Sequence, residues 1–114
     1  MHFTASLTKN HEFRRVYNRG KTAGASTIAL YVFPNRLGKN RLGITVTTKI
    51  GGAVVRNRIR RRIKEIYRLS EGKLRPSFDV VIVARSRAST ATYWQIRADF
   101  QRLAKKMGLL VVGE

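Results

Sequence analysis

At 114 residues the chain has the length of one domain with a modest core, and 43% apolar with 26% charged residues is the composition of a folded protein, not a disordered one. Its 24 Lys and Arg against 6 Asp and Glu leave a net charge of +18, a self-repulsion that points to a polyanionic partner. The absence of cysteine excludes disulfides, thiolate metal sites and a cysteine nucleophile, and fits a reducing cytosol.

The N-terminal stretch MHFTASLTKNHEF has no apolar signal region, and no apolar run approaches the roughly 18 residues of a membrane span. A soluble, cytoplasmic chain with no membrane partner is therefore expected. A first helix is predicted over 9–19, with Thr8 or Asn10 as N-cap, Gly20 as stop, and Phe13, Val16 and Tyr17 on one face. Residues 21–25 leave room for one short strand. STIALYVF (26–33) reads as a strand ended by Pro34-Asn35, with Ile28, Leu30 and Val32 on one side and Ala29, Tyr31 and Phe33 on the other. RLGITVT (41–47) alternates again, with Leu42, Ile44 and Val46 inward.

A second helix is predicted over 53–69. Val55, Ile59, Ile63 and Ile66 make a narrow stripe for the sheet, while Asn57, Arg61, Lys64 and Arg68 share the opposite face. Arg56 and Arg62 flank the stripe, with stems able to snorkel outward, and Arg58 and Arg60 take the remaining sides. From Arg56 to Arg68 six Arg and one Lys oppose one acid, Glu65, which is spaced to pair with Arg61 or Arg62. A solvated helix face ordinarily mixes both signs, so this comb points to nucleic acid, with arginine suited to bidentate grip on phosphate. Before it, Gly51-Gly52 reads either as backbone opened to a phosphate at a helix N-terminus or as a tight turn needing positive φ. No Gly-Lys-Ser/Thr follows, which excludes a nucleotide-binding P-loop.

FDVVIVA (78–84) is an unbroken apolar strand of the kind buried on both faces. The last helix opens on a Thr92-x-x-Gln95 capping box, buries Tyr93, Ile96, Phe100, Leu103 and Met107, and stops at Gly108. The fold class is α+β: one domain, an α/β sandwich of three helices on a small mixed sheet of about four strands, in the order α-β-β-α-β-α with the 21–25 strand left open. No catalytic constellation emerges. The six acids are scattered, and His2 and His11 have no partners at ligand spacing, so an autonomous nuclease is not expected. Charge and size leave a ribosomal or ribosome-associated RNA-binding protein as an alternative. An anionic-membrane binder ranks behind it, because the basic helix spends its apolar face on the core.

The stretch GITVTTKIGGAVVRNRIRRRIKEIYR closely resembles the signature of the bacterial ribonuclease P protein component, with Arg56-Asn57-Arg58 following the Gly51-Gly52-Ala53-Val54 turn. The likeness extends to LTKNHEFRRVYNRGK, LYVF and DVVIVAR, and covers most of 7–105. The family often has Ser-Lys-Lys where this chain has Thr47-Thr48-Lys49, so no cationic contact is implied from the middle position. The resemblance implies a left-handed β-α-β crossover through the basic helix, against the usual right-handed rule. It implies contact with a catalytic RNA through Lys49, Gly51, Gly52, Arg56, Asn57, Arg58, Arg60, Arg61, Lys64 and Arg68. It implies a cleft for the single-stranded 5′ leader of precursor tRNA, to which Phe13, Tyr17 and Tyr31 correspond, and a peripheral metal-binding loop whose ligands are not assigned. Aromatic rings stack on bases of any identity, although core packing would account for Phe13 equally well. Cleavage itself, using Mg²⁺, is then expected of the RNA, with no cofactor bound tightly by the protein, one protein per RNA and no obligate protein partner.

Overall fold

The computed structural model describes residues 4–111. Its elements run β1 (Thr4–Ser6), α1 (Asn10–Arg19), β2 (Lys21–Gly24), β3 (Ile28–Pro34), β4 (Asn40–Thr45), α2 (Ala53–Ser70), β5 (Phe78–Ala84) and α3 (Tyr93–Lys106). Short 3₁₀ turns fall at Thr48–Ile50, Glu71–Lys73 and Ser86–Ser89. The sheet has five strands in the order β1-β4-β5-β3-β2. β4 is parallel to both β1 and β5, whereas β3 is antiparallel to β5 and β2. The short strand left open at 21–25 is present as β2. The additional strand is β1, which has no apolar pattern and exists through pairing with β4 and a 3.0 Å hydrogen bond between the hydroxyls of Thr4 and the buried Tyr67.

Strand alternation divides the core into two. Ile28, Leu30, Val32, Leu42, Val80 and Ile82 face α2 and α3, meeting Ile59, Ile63, Ile66 and Tyr67 of one helix and Ile96, Phe100 and Leu103 of the other. On the opposite face α1 buries Val16 against Val81, with Leu7, Phe13, Tyr17, Tyr31, Phe33 and Val83 around it. β5 is the central strand, with Val80, Val81 and Ile82 fully buried, as the unbroken run predicts.

Several boundaries differ from expectation for identifiable reasons. β3 starts at Ile28 rather than Ser26, because Thr27 turns aside to give its amide (3.0 Å) and hydroxyl (2.6 Å) to Asp99 of α3. The N-cap of α1 is Lys9, not Thr8 or Asn10. The carboxylate of Glu12 reaches back to accept the amides of Lys9 (3.1 Å) and Thr8 (3.3 Å), so the acid satisfies the helix start. On α2, Glu65 pairs with Arg68 through two bonds of 2.9 and 2.7 Å instead of with Arg61 or Arg62. The Thr92–Gln95 capping box closes in both directions at 2.8 and 3.1 Å, and Gly108 takes φ +74° just past α3. Ile96, Phe100 and Leu103 are buried as expected, while Tyr93 and Met107 are only half-buried at the ends of the stripe.

Candidate nucleic-acid interface

The geometry offers two surfaces, one on each face of the sheet. The first is α2. Its stripe of Ile59, Ile63 and Ile66 is buried in the core, which holds Asn57, Arg60, Arg61, Lys64 and Arg68 outward and exposed. Asn57, Arg60, Arg61 and Lys64 line one shallow groove, so four of the expected residues are brought together. Arg68 lies further along and is engaged with Glu65.

The arginines nearer the core divide differently from expectation. Arg58 does not project freely: half-buried, it donates from Nη2 to the Ser89 carbonyl at 3.3 Å. Arg62 does the same one turn on, from Nη1 to the Ala91 carbonyl at 3.1 Å. Both tie α2 to the connection between β5 and α3. Arg56 is also half-buried, and the Nε atoms of Arg56 and Arg58 are buried with no hydrogen-bond partner among the described residues.

At the start of α2, Lys49 is exposed on the 3₁₀ turn. Neither glycine needs a left-handed backbone: Gly51 has φ 161°, which is extended chain, and Gly52 has φ −73°. The tight-turn explanation therefore fails. A Cβ on Gly51 would press on Val55 at 3.1 Å, so packing accounts for that glycine. A Cβ on Gly52 would meet nothing within 4 Å, so nothing inside the protein requires glycine there. What glycine does at 52 is leave the helix N-terminus bare, with its first amides open.

The second surface lies beside α1. Across that face of the sheet the register aligns Gly43, Val81, Tyr31 and Thr22 in one row, and Thr45, Val83, Ala29 and Gly24 in the next. Helix α1 covers the first row. Phe13 sits directly on Gly43, where a Cβ would come within 2.4 Å of the ring, so Phe13 is the seat of the helix as well as a half-exposed aromatic. Tyr17 leans over the second row, its hydroxyl 2.7 Å from that of Thr45, and its ring meets Tyr31 edge-on at 5.0 Å. The second row is left as a half-open floor of small residues beside two tyrosines. Arg85, reaching the Ala25 carbonyl at 3.1 Å, stands at one end, and Arg19 lies 5.6 Å from the Phe33 ring on the α1 side.

Beneath α1 an ion triad fixes the angle of the helix. Arg41 of β4 grips Asp79 of β5 in bidentate fashion at 2.7 and 2.7 Å, and its third nitrogen bonds Glu12 of α1. The Glu12 carboxyl lies below its usual range, chiefly through the Lys9 amide, against the opposing effect of burial and with help from Thr8 and Arg41. Asp99 is also lowered: burial pushes it up, but the Thr27 hydroxyl and amide and Arg102 outweigh that. Glu12, Glu65, Asp79 and Asp99 are thus internal counter-ions, each held by arginine. They do not fit a metal cage, and the described residues contain no cluster of three His, Cys, Asp or Glu. Among the described residues no helix is long and apolar enough to cross a membrane.

Sequence reasoning missed Arg41, the floor residues Val83 and Ala29, and Arg85. Alternation in the strands places the first three on the α1 face, but only the pairing register shows them side by side.

Comparison with known proteins places these surfaces in context. A family model described as Ribonuclease P matches residues 1–108. The ribonuclease P protein component of Alkaliphilus metalliredigens is 41% identical over 104 residues, covering 91% of this chain and 94% of that protein. That of Clostridium kluyveri is 44% identical over 105 residues, covering 90% and 94%. Among solved structures, the RNase P protein of Staphylococcus aureus superimposes with a TM-score of 0.86 at 29% identity, covering 92% of this chain and 96% of that one. The RNase P protein of Thermotoga maritima gives 0.81 at 28% identity, covering 89% and 96%.

Proposed function

The chain belongs to the bacterial ribonuclease P protein family, the protein component of a ribonuclease holoenzyme that pairs with ribonuclease P RNA, and we propose that it grips that RNA through α2 while holding the 5′ leader of precursor tRNA beside α1. The observation that carries this reading is the outward face of α2, where Asn57, Arg60, Arg61 and Lys64 share one groove and no acid lines it. The half-open row of Thr45, Val83 and Ala29 under Tyr17 and Tyr31 has the character that a single strand without a fixed sequence needs: aromatic faces, small residues and flanking arginine. Phosphodiester hydrolysis belongs to the RNA, which holds Mg²⁺ for it: four of the six acidic residues, Glu12, Glu65, Asp79 and Asp99, are engaged by arginine, and the described residues hold no cluster of metal ligands. The chain binds no cofactor tightly, acts in the cytoplasm as one copy per RNA without an obligate protein partner, and works electrostatically: +18 placed between two polyanions reduces their repulsion.

The test is cleavage of precursor tRNA by ribonuclease P RNA at physiological Mg²⁺, with and without the protein. The expected result is cleavage at the leader junction that rises on adding protein, and a rise that is lost in the exposed Arg61→Ala/Lys64→Ala variant although its unfolding curve stays within about 0.5 kcal/mol. No effect of the protein on cleavage, or full activity in that variant, would overturn the proposal.

A further inference from the structure

The first turn of α3 carries a feature that neither surface uses. Trp94, the single tryptophan of the chain, is 66% exposed, off the Ile96–Phe100–Leu103 stripe that anchors the helix. An indole is the most costly side chain to leave in water, and it is held in place here rather than loose. The Arg97 guanidinium lies 5.4 Å from its ring centroid, and Tyr93 meets it edge-on at 5.1 Å and 88°. Tyr93 in turn lines a groove with Arg58, Arg61, Arg62 and Glu65 of α2. The ring therefore stands on the flank of the cationic face, fixed by an aromatic and a cation.

We propose that Trp94 is a stacking platform for an unpaired base of the RNA held by α2, with Arg97 completing the stack and the α2 arginines taking the neighbouring phosphates. The inference rests on α2 as the RNA-binding face. Charge decides the occupant. Arg97 lies over the ring, the adjoining Tyr93 shares its groove with Arg58, Arg61 and Arg62, and the acid of that groove, Glu65, is paired with Arg68. An apolar protein surface would need a contiguous apolar patch here, whereas a nucleotide brings a flat π-face and a negative charge together.

Because Trp94 is the only indole, its fluorescence in the full chain reports the site directly. The protein is titrated with ribonuclease P RNA and, separately, with a short single-stranded RNA oligonucleotide, while RNA capture is followed by filter binding. Quenching of the indole on saturation is expected. Trp94→Ala should weaken capture by about 5- to 150-fold, the range for loss of one stacked base, and by the same factor at low and high salt; Trp94→Phe should lose less. Arg61→Ala, acting through phosphates, should show a penalty that shrinks as salt rises. RNA captured normally with unchanged indole emission and no loss in Trp94→Ala would overturn the platform while leaving α2 intact. Failure of the parent protein to capture RNA would overturn both. An indole that responds to anionic phospholipid vesicles but not to RNA would reassign the site and defeat the proposal. Trp94 is exposed and outside the core, and thermal melting of each variant checks that it stays folded.

Discussion

Replacing Arg41 by methionine tests whether the triad under α1 holds the domain together. Asp79 is 1% exposed, Glu12 12% and Arg41 17%, so the ions are largely withdrawn from water. Methionine keeps most of the volume of the arginine stem and removes the guanidinium. Asp79 would then retain the Asn35 side-chain bond at 2.9 Å but lose both bonds of 2.7 Å and its counter-charge. Stranding a buried charge in this way costs about 3–5 kcal/mol, a large part of the ~5–15 kcal/mol that holds a typical domain folded. The assay is urea unfolding at neutral pH, read as a fall in midpoint with an unchanged slope. Arg41→Met/Asp79→Leu should recover part of the loss, because it removes the Asp79 charge while Glu12 keeps the Lys9 and Thr8 amides. A loss below about 1 kcal/mol in the single variant, or no recovery in the double, would refute the reasoning.

Three further outcomes follow from the same geometry. Tyr17→Ala and Tyr31→Ala should weaken holoenzyme binding of precursor tRNA by about 1–3 kcal/mol per stacked base and leave mature tRNA unaffected; equal losses for the two tRNAs would make the tyrosines mere packing. Gly52→Ala should change stability by no more than about 1 kcal/mol, since φ is −73° and its Cβ is unobstructed, yet weaken capture of ribonuclease P RNA as measured by filter binding if the RNA backbone approaches the bare helix end. The carboxyls of Glu12 and Asp99 are lowered on folding, so their stabilisation is complete above the unfolded values near about 4 and is lost as pH falls through the folded ones. Urea midpoints should therefore be level near neutrality and fall below about pH 4, and Asp99→Asn should flatten that acid limb; an unchanged limb would exclude Asp99 as a source.

Much of this was legible where one local rule acts alone. The isoleucine stripe and one-signed back of α2 follow from helical period, β5 from its unbroken apolar run, and the ends of α3 from Thr92, Gln95 and Gly108. What escaped depends on distant chain. Thr4–Ser6 is a strand because β4 and Tyr67 are beside it, not because of its own three residues. Arg58 and Arg62 turn inward because the connection after β5 lies over them, and no wheel shows that. The wheel does place Trp94 off the buried stripe of α3, a signal that could have been read, but the cation and tyrosine that fix it belong to the tertiary structure.

The separation of the two surfaces has a physical consequence. α1 lies on one face of the sheet and α2 on the other, so the tyrosine cleft and the cationic groove are divided by the full thickness of the sheet and its packed side chains. Each surface neutralises its own phosphates, and sites more than about 7–10 Å apart with no shared partners contribute additively. The link between them is the chain itself, leaving Thr45 at the edge of the cleft and entering α2 at Ala53 through the Lys49–Gly52 turn. A holoenzyme built on this frame can lose leader contacts without losing its RNA, and the tyrosine and arginine variants should therefore fail independently, their combined penalty equal to the sum within about 0.5 kcal/mol. A larger discrepancy in a double-variant cycle of Tyr31→Ala with Arg61→Ala, read as precursor-tRNA affinity, would show that the sheet transmits between the faces instead of insulating them.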